Sequence, residues 1–213
     1  MENRNTRESF ERKFRRQLGR GWFRSPRYRF LSRLFPRWAL STKIRKTYHH
    51  PVSQIIEGRF LDLGCGLGSC AALYAARTGN FSVGMDFALP AMLFARRECR
   101  RLRIPAHFVA GDGYRLPFAG GSLDSVYIGQ VLEHLADESK VIEEAIRVLR
   151  GGGKLIISVP MGSHCSAGEA DHVNFYESEE DCRKLLDGFP VREITFHDFH
   201  RHRYFFSARV DRG

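Results

Sequence analysis

Three glycines at alternate positions, Gly64, Gly66 and Gly68, stand between an apolar segment and a helix-like one. Glycine permits tight backbone turns and lets a ligand approach without meeting a Cβ atom. The spacing is GxGxG, whereas the dinucleotide-binding fingerprint is G-x-G-x-x-G, with Ser69 at the position of its last glycine. The segment therefore predicts a strand, a ligand-binding turn and a helix in succession, which is the opening unit of an α/β fold.

Strand-like and helix-like segments continue to alternate after this unit. The predicted strands are 59–63, 81–85, 107–111, 123–128, 154–159, 191–197 and 203–210, and the predicted helices are 69–77, 89–102, 138–149 and 178–186. We expect Gly151 to end the third helix. Because only five residues, 198–202, separate the last two strands, these should pair as an antiparallel hairpin. The pattern predicts an α/β, Rossmann-like fold: a seven-stranded mixed sheet of five parallel strands plus that C-terminal hairpin, with helices on both faces.

Acidic residues follow the second and third predicted strands. Asp86 ends the second strand, 22 residues beyond Gly64, and Asp112 lies between Gly111 and Gly113 after the third. A carboxylate at the first position can accept two hydrogen bonds from a ribose diol, and one at the second can accept from an exocyclic amine. The carboxyl ends of adjacent strands are where open α/β sheets bind ligands. These residues predict a site for an adenosine-containing cofactor.

The net charge of +10 is confined to one end of the chain. Residues 1–50 hold 15 Lys and Arg against 3 Asp and Glu, which leaves 19 and 21 for residues 51–213. We therefore divide the chain into a basic, aromatic-rich N-terminal helical arm, residues 1–50, and a nearly neutral domain, residues 51–213, that would carry out the chemistry. The arm either docks on the domain, lies on an anionic membrane surface, or binds nucleic acid, the last being the less favoured of the two external partners.

The cellular setting follows from cysteine usage and hydropathy. Five cysteines without a CxxC pair indicate reduced thiols. No stretch approaches the roughly 18 apolar residues of a membrane span. We expect a cytoplasmic protein, associated with a membrane at most through residues 1–50.

Five motifs in order resemble the class I S-adenosylmethionine-dependent methyltransferases, and most closely their ubiquinone/menaquinone-type small-molecule branch. The similar segments are Leu61–Gly68, Val83–Asp86, Gly111–Gly113 with Leu116–Phe118, Ser122–Tyr127 with Gln130–His134, and Val148–Lys154 with Leu155–Pro160. The resemblance spans residues 55–210 and implies S-adenosylmethionine as the cofactor.

The resemblance also implies roles for individual residues. The methionine part of the cofactor would lie along the turn of Gly64, Cys65 and Gly66, which Gly68 completes. Asp62 would support this turn and reach the amino group of the cofactor. Asp86 would hold the ribose hydroxyls and Phe87 would lie against the adenine. The remaining cofactor-binding residues are Asp112 and Gly113 at the adenine edge and Gln130 near the sulfonium.

The segment after the fourth predicted strand disfavours several substrate classes. Its sequence Gly129-Gln-Val-Leu132 lacks the Asn/Asp-Pro-Pro-Tyr/Phe turn of enzymes that methylate base amino groups, and it has no Cys-Pro nucleophile. Glu133 has no partner glutamate at the spacing of protein arginine methyltransferases. We therefore expect methyl transfer to a small-molecule or lipid-like acceptor. Two alternatives stay open: an RNA-directed methyltransferase that uses the arm, and a non-catalytic binding protein that keeps the fold.

Histidines supply the candidate acid-base chemistry. His134 follows the fourth strand and is the candidate catalytic base, the alternative being that it packs against or caps the next helix. His164 and His172 flank a loop after the fifth strand, where the run from His172 to Tyr176 resembles a partly structural stretch of the same branch. The histidines at 197, 200 and 202 favour a solvated hairpin turn over a metal site, and we expect no metal.

Overall fold

A computed structural model describes residues 49–162, 172–197 and 203–211, together with Arg12. Apart from Arg12, His49 and His50, the predicted arm at 1–50 lies outside the described residues. The same holds for His164 in the loop 163–171, and for His200 and His202 in the predicted hairpin turn.

Helices and strands alternate along the described chain. The strands are β1 (Phe60–Leu63), β2 (Ser82–Asp86), β3 (Ala106–Ala110), β4 (Leu123–Gly129), β5 (Leu149–Pro160), β6 (Val191–His197) and β7 (Arg203–Val210). The helices are α1 (His49–Ile55), α2 (Ser69–Thr78), α3 (Leu89–Leu102), α4 (Glu138–Val148) and α5 (Glu179–Lys184), with a 3-10 turn at Leu132–His134.

The seven strands form one mixed sheet in the order β3-β2-β1-β4-β5-β7-β6. Strands β1 to β5 pair in parallel, whereas β7 runs antiparallel to both β5 and β6. The predicted fold class, five parallel strands followed by an antiparallel hairpin, is confirmed. Because β1, β2, β3 and β4 are parallel, their carboxyl ends share one edge of the sheet. The strand order reverses between β1 and β4, and this switch point is where such sheets bind ligands.

Helices cover both faces of the sheet. Side chains of successive strand residues point to opposite faces, so each face has its own apolar cluster. On one face Leu61, Leu63 and Val126 join a core cluster with the apolar stripe of α4. On the other face Phe60 packs with α1 and with Tyr74 of α2. The α2 and α3 helices share a further cluster with Phe108 of β3. The helices therefore hold the strand ends of the site from both sides.

The third predicted helix ends earlier than the sequence suggested. Leu149 has φ −72° and ψ 140°, so α4 ends at Val148 and β5 begins directly. Gly151 lies within β5 rather than ending the helix, and the prediction for it was wrong. The strand β5 shifts its register against β4 between Leu123 and Ser125, and this irregularity accommodates the glycine run.

An ion-pair network ties the segment before β1 to the far strands of the sheet. Glu57 accepts from the Arg209 guanidinium at 2.9 Å and from Lys154 Nζ at 2.6 Å. These two partners, the Arg209 hydrogen bond first, lower the pKa of Glu57 to about 2. The helix α1 precedes this network and begins at His49, so it crosses the predicted boundary between residues 50 and 51.

Among the described residues, no helix is long and apolar enough to cross a membrane. Four cysteines lie in the described part of the chain, and each is a free thiol. Burial raises the pKa of every one of these thiols, to about 12 for Cys99 and Cys182, so they are unreactive near neutral pH.

Candidate active site

The turn after β1 is fixed by hydrogen bonds to the end of β2. The amides of Gly64 and Cys65 both donate to the Met85 carbonyl, at 2.8 and 3.0 Å. Gly64 has φ +71°, and a Cβ atom there would overlap the side chain of Val131 in the segment after β4. A glycine is therefore required at this position both by its conformation and by the close approach of two loops.

Two further members of the predicted turn, Gly68 and Cys65, serve the packing of the fold. Gly68 has φ +75° and precedes α2, and a Cβ atom on it would overlap the Phe108 ring. The Cys65 sulfur lies 3.8 Å from the Met92 sulfur of α3, against the apolar cluster that α2 and α3 share. Their side-chain positions thus contribute to the packing of α2 and α3, while the backbone between them forms the turn.

Asp62 is buried directly beneath this turn. The residue is only 3% exposed. Its Oδ2 accepts a hydrogen bond from the Ala71 amide in the first turn of α2, at 3.1 Å. Burial raises the pKa of Asp62 to about 7, and the nearby Asp86 carboxylate acts in the same direction. The carboxyl thus holds the start of α2 and would favour a positively charged partner.

Asp86 cross-links the end of β2 to the same turn. Its Oδ2 accepts from the Gly66 amide and its Oδ1 from the Ala88 amide, both at 2.9 Å. Burial raises the pKa of Asp86, although the backbone hydrogen bonds oppose the shift. The half-buried Phe87 follows directly. A carboxylate has about four acceptor positions, so capacity stays available for a further donor beside the amides of Gly66, Ala88 and Phe87.

The end of β3 is more open. The exposed Asp112 accepts from the Tyr114 amide at 3.0 Å, and the Gly111 amide donates to the Asp86 carbonyl at 3.1 Å. A Cβ atom on Gly113 would make only ordinary contacts, the nearest with Leu63 at 3.7 Å. Gly113 is therefore not required by the packing of the protein itself.

Gln130 holds a strained conformation at the end of β4. Its φ is +57°, in the left-handed region that non-glycine residues rarely adopt. Its amide donates to the Ser158 carbonyl at 2.8 Å, and its Nε2 to the Ser158 hydroxyl at 3.3 Å. Strain of this kind concentrates at functional sites, where the surrounding structure maintains it.

Three polar side chains meet beyond Gln130. Glu133 and His134 lie on the 3-10 turn, and His172 comes from the segment after β5. One donor atom of each lies within 4.8 Å of the others, and the two imidazole rings are 4.9 Å apart at 68°. The sequence predicted His134 but did not predict its association with Glu133 and His172, because 38 residues separate the two histidines.

Asn174 fastens the segment of His172 to the 3-10 turn. Its Nδ2 lies within 3 Å of the carbonyls of Leu132 and Leu135 and of the Glu138 carboxylate, at 2.9, 2.7 and 2.9 Å. The Glu133 carbonyl accepts from the amides of residues 173 and 174 at 2.7 and 3.2 Å. This confirms that the stretch from His172 to Tyr176 is partly structural.

The same segment ends in a buried acidic environment. Tyr176 is buried, and its pKa is raised first by burial and then by the charges of Glu138 and Glu133.

His197 lies elsewhere, in β6, where its ring stacks on Phe205 at 4.8 Å and contacts the Ser207 hydroxyl at 3.1 Å. His197 is thus a half-buried strand residue rather than part of a solvated turn.

Comparison with known proteins supplies independent evidence. Residues 61–157 match a family described as "Methyltransferase domain". The chain is 33% identical over 134 residues to the demethylmenaquinone methyltransferase of Thermus thermophilus, an alignment that covers 62% of this chain and 60% of the relative. The chain thus spans less than two thirds of the length of the curated relatives it matches.

Solved structures share the fold at low sequence identity. The PH0226 protein of Pyrococcus horikoshii has a TM-score of 0.67 and 18% identity, covering 81% of this chain and 92% of its own. A S-adenosylmethionine-dependent methyltransferase from Thermotoga maritima has a TM-score of 0.65 and 16% identity, covering 86% and 98%. The domain match over residues 61–157 and the order of the seven strands agree, and the chain shares the fold of these solved structures.

Proposed function

We propose that this protein transfers a methyl group from S-adenosylmethionine to a small-molecule or lipid-like acceptor. The observation that carries the proposal is the meeting of two buried carboxylates, Asp62 and Asp86, at a glycine turn on the switch-point edge of the sheet. Both carboxylates are held by backbone amides and both retain acceptor positions, which suits a ligand with an ammonium group and a ribose diol.

Each part of the cofactor has a candidate partner in this arrangement. The ammonium group would pair with Asp62, and the backbone at Gly64, Cys65 and Gly66 would line the methionine part. The ribose hydroxyls would donate to Asp86. For the adenine, Phe87 supplies an apolar face, while the backbone of Asp112 and Gly113 approaches its edge. The role of Gln130, beside the sulfonium, is supported by its strained backbone at the end of the adjacent strand.

The protein's share of the chemistry is placement. Bound S-adenosylmethionine supplies an activated methyl group, so that attack by the acceptor atom forms the new bond as the S–CH₃ bond breaks. Holding the two reactants in line and excluding water account for the rate enhancement expected of such a site. In this proposal His134, which lies in the 3-10 turn just after β4, faces the acceptor rather than the cofactor.

An apolar acceptor is supported by the surface next to His172. Val173 and Phe175, two large apolar side chains in one short segment, are each 51% exposed. The relative from Thermus thermophilus is named for a quinone substrate, demethylmenaquinone. We further propose that the protein is cytoplasmic and that its arm at residues 1–50 contacts anionic membranes. The net charge of +12 on the arm supports this contact.

Incubation with a metabolite extract and isotopically labelled methyl donor tests the proposal. We expect label in one or more small apolar products, identified by mass, and much less label with the Asp86→Ala variant at a limiting concentration of methyl donor. Label appearing only in RNA would support the RNA-directed alternative, with an affinity that falls steeply with salt. Cofactor binding without label in any product would instead support a non-catalytic protein.

A further inference from the structure

The cluster of Glu133, His134 and His172 has the composition of a metal site. Two imidazoles and one carboxylate are a common ligand set for divalent first-row transition ions, and three protein ligands leave positions open for a further molecule. We propose that these three residues bind one such ion, with Zn²⁺ as the representative probe. The proposal departs from the expectation that the chain binds no metal.

The distances suit this assignment. The donor atoms of the three residues lie within 4.8 Å of one another. Around a tetrahedral Zn²⁺ with bonds of about 2.0–2.2 Å, neighbouring ligand atoms are roughly 3.4 Å apart. Side-chain rotations that move each donor inward by about 1 Å therefore complete the site, because both histidines are only half-buried.

Charge favours a cation at the same place. Glu133 is only 1% exposed, and its carboxylate shares this region with that of Glu138. Placing carboxylates out of water is costly unless positive charge or hydrogen bonds compensate for the lost hydration. A divalent ion bound between Glu133 and the two imidazoles would add positive charge beside this buried carboxylate.

The scaffold already holds the two ligand-bearing segments together. Asn174, two residues from His172, bonds to the carbonyls at both ends of the turn that carries Glu133 and His134. The Glu133 carbonyl accepts two amides of the same segment. Fixing the supporting backbone before the ligand arrives reduces the entropy lost on binding, as metal sites require.

The site has a consequence that rests on the proposed methyl transfer. An ion held by Glu133, His134 and His172 would favour loss of a proton to solvent from an acceptor hydroxyl, since a cation stabilises the oxygen anion. The oxygen would then be the atom that takes the methyl group as the S–CH₃ bond breaks, with S-adenosylhomocysteine as the leaving group. His134 is in this case a ligand of the ion rather than the catalytic base.

Equilibrium dialysis of the chelator-treated full chain against Zn²⁺ tests the site, with Co²⁺ absorption as the readout of coordination. The chain holds nine histidines, so the comparison is between variants. We expect His134→Ala and His172→Ala each to bind one equivalent less than wild type and to lose the Co²⁺ visible bands. The matched control is His107→Ala, because His107 is an exposed histidine of β3 that does not belong to the cluster and whose ring stacks on Phe81. Equal stoichiometry in all four proteins, or no ion bound by wild type, would overturn the proposal.

Calorimetry with S-adenosylmethionine on the same samples separates this inference from the proposed function. We expect the cofactor to bind equally with and without Zn²⁺, because Asp62 and Asp86 belong to other strands. Cation binding without any cofactor binding would contradict the proposed function alone. If His134→Ala abolished methyl transfer but kept the wild-type stoichiometry of Zn²⁺, His134 would be a base and the metal assignment would be wrong.

Discussion

The two halves of the site hold their polar groups in opposite ways. At the ends of β1 and β2, the carboxylates of Asp62 and Asp86 are bound by backbone amides of the adjoining turn. At the end of β4, Glu133, His134 and His172 instead converge as side chains from segments 38 residues apart. The first half joins a turn to the end of the neighbouring strand through backbone amides, whereas the second is assembled from side chains of two distant segments.

This difference separates the features common to a fold from those specific to one protein. A turn made of backbone amides and buried carboxylates accepts one ligand shape and tolerates little change. A cluster of side chains held by a clamp such as Asn174 can change its chemistry by single substitutions while the backbone stays the same. We therefore expect substitutions in the first half to affect folding and cofactor affinity, and those in the second to affect the acceptor.

The largest expected effect tests the rigidity of the glycine turn. Gly68 and Gly79 lie at opposite ends of α2 with φ of +75° and +73°, so alanine is strained at both. Only at Gly68 does the added Cβ meet the Phe108 ring, while Gly79 has open space in the described part of the chain. We expect Gly79→Ala to lower the unfolding free energy by about 1 kcal/mol and Gly68→Ala by about 3 kcal/mol.

Denaturant unfolding of the two variants measures this difference. Because the conformational strain is shared, their difference isolates the contact with Phe108. Equal losses of stability would mean that the turn has room to move and that the first half is less rigid than its contacts indicate.

The next effect concerns the carboxylate that joins β2 to the turn. We expect Asp86→Ala to weaken S-adenosylmethionine binding by about 100-fold, since it removes charged hydrogen bonds. Asp112→Ala, which removes an exposed carboxylate from the same site, should weaken binding by less than about tenfold. Calorimetry gives both affinities, and thermal unfolding identifies any loss that comes from misfolding. Unchanged affinity in Asp86→Ala would remove the ribose assignment.

Asp62 should make stability depend on pH in the direction opposite to ordinary acid unfolding. Its pKa is about 7 when folded, above its ordinary value, so the folded state binds more protons between these values than the unfolded state. Stability from this group is therefore present at low pH and lost as pH rises toward 7, by at most about 1.4 kcal/mol per pH unit.

The Asp62→Asn variant isolates this contribution. The difference in unfolding free energy, wild type minus variant, should increase as pH falls from about 7.5 to about 5. Cofactor binding should show the reverse in wild type and weaken below pH 7, because an ammonium partner favours the ionised carboxylate. A pH-independent difference between the two proteins would contradict the burial of an ionisable group there.

The smallest effect is expected at Gly113. The space around it admits a Cβ atom at 3.7 Å from Leu63, so Gly113→Ala should change the unfolding free energy by less than about 0.5 kcal/mol. Any larger loss of cofactor affinity would then report contact with the ligand itself. If neither quantity changes, Gly113 does not line the cofactor site.

The sequence predicted the first half better than the second for a physical reason. The turn residues, Asp62 and Asp86 are close in the chain or lie at strand ends, so hydropathy pattern and glycine spacing were sufficient. The meeting of His172 with Glu133 depends on the Asn174 clamp. The resemblance of the run from His172 to Tyr176 marked this segment as partly structural but did not say which residues it contacts. Gly151 was misjudged because a glycine after a helix also fits an irregular strand, and the packing of Cys65 was missed because spacing does not say where a side chain points.

Titration calorimetry with the wild-type chain tests the central claim most directly, by comparing S-adenosylmethionine with NAD. We predict that S-adenosylmethionine binds with one molecule per chain and that NAD does not compete with it, since the turn is GxGxG and lacks the last glycine of the dinucleotide fingerprint. Binding of NAD together with no binding of S-adenosylmethionine would contradict the assignment of the cofactor and, with it, the proposed methyl transfer.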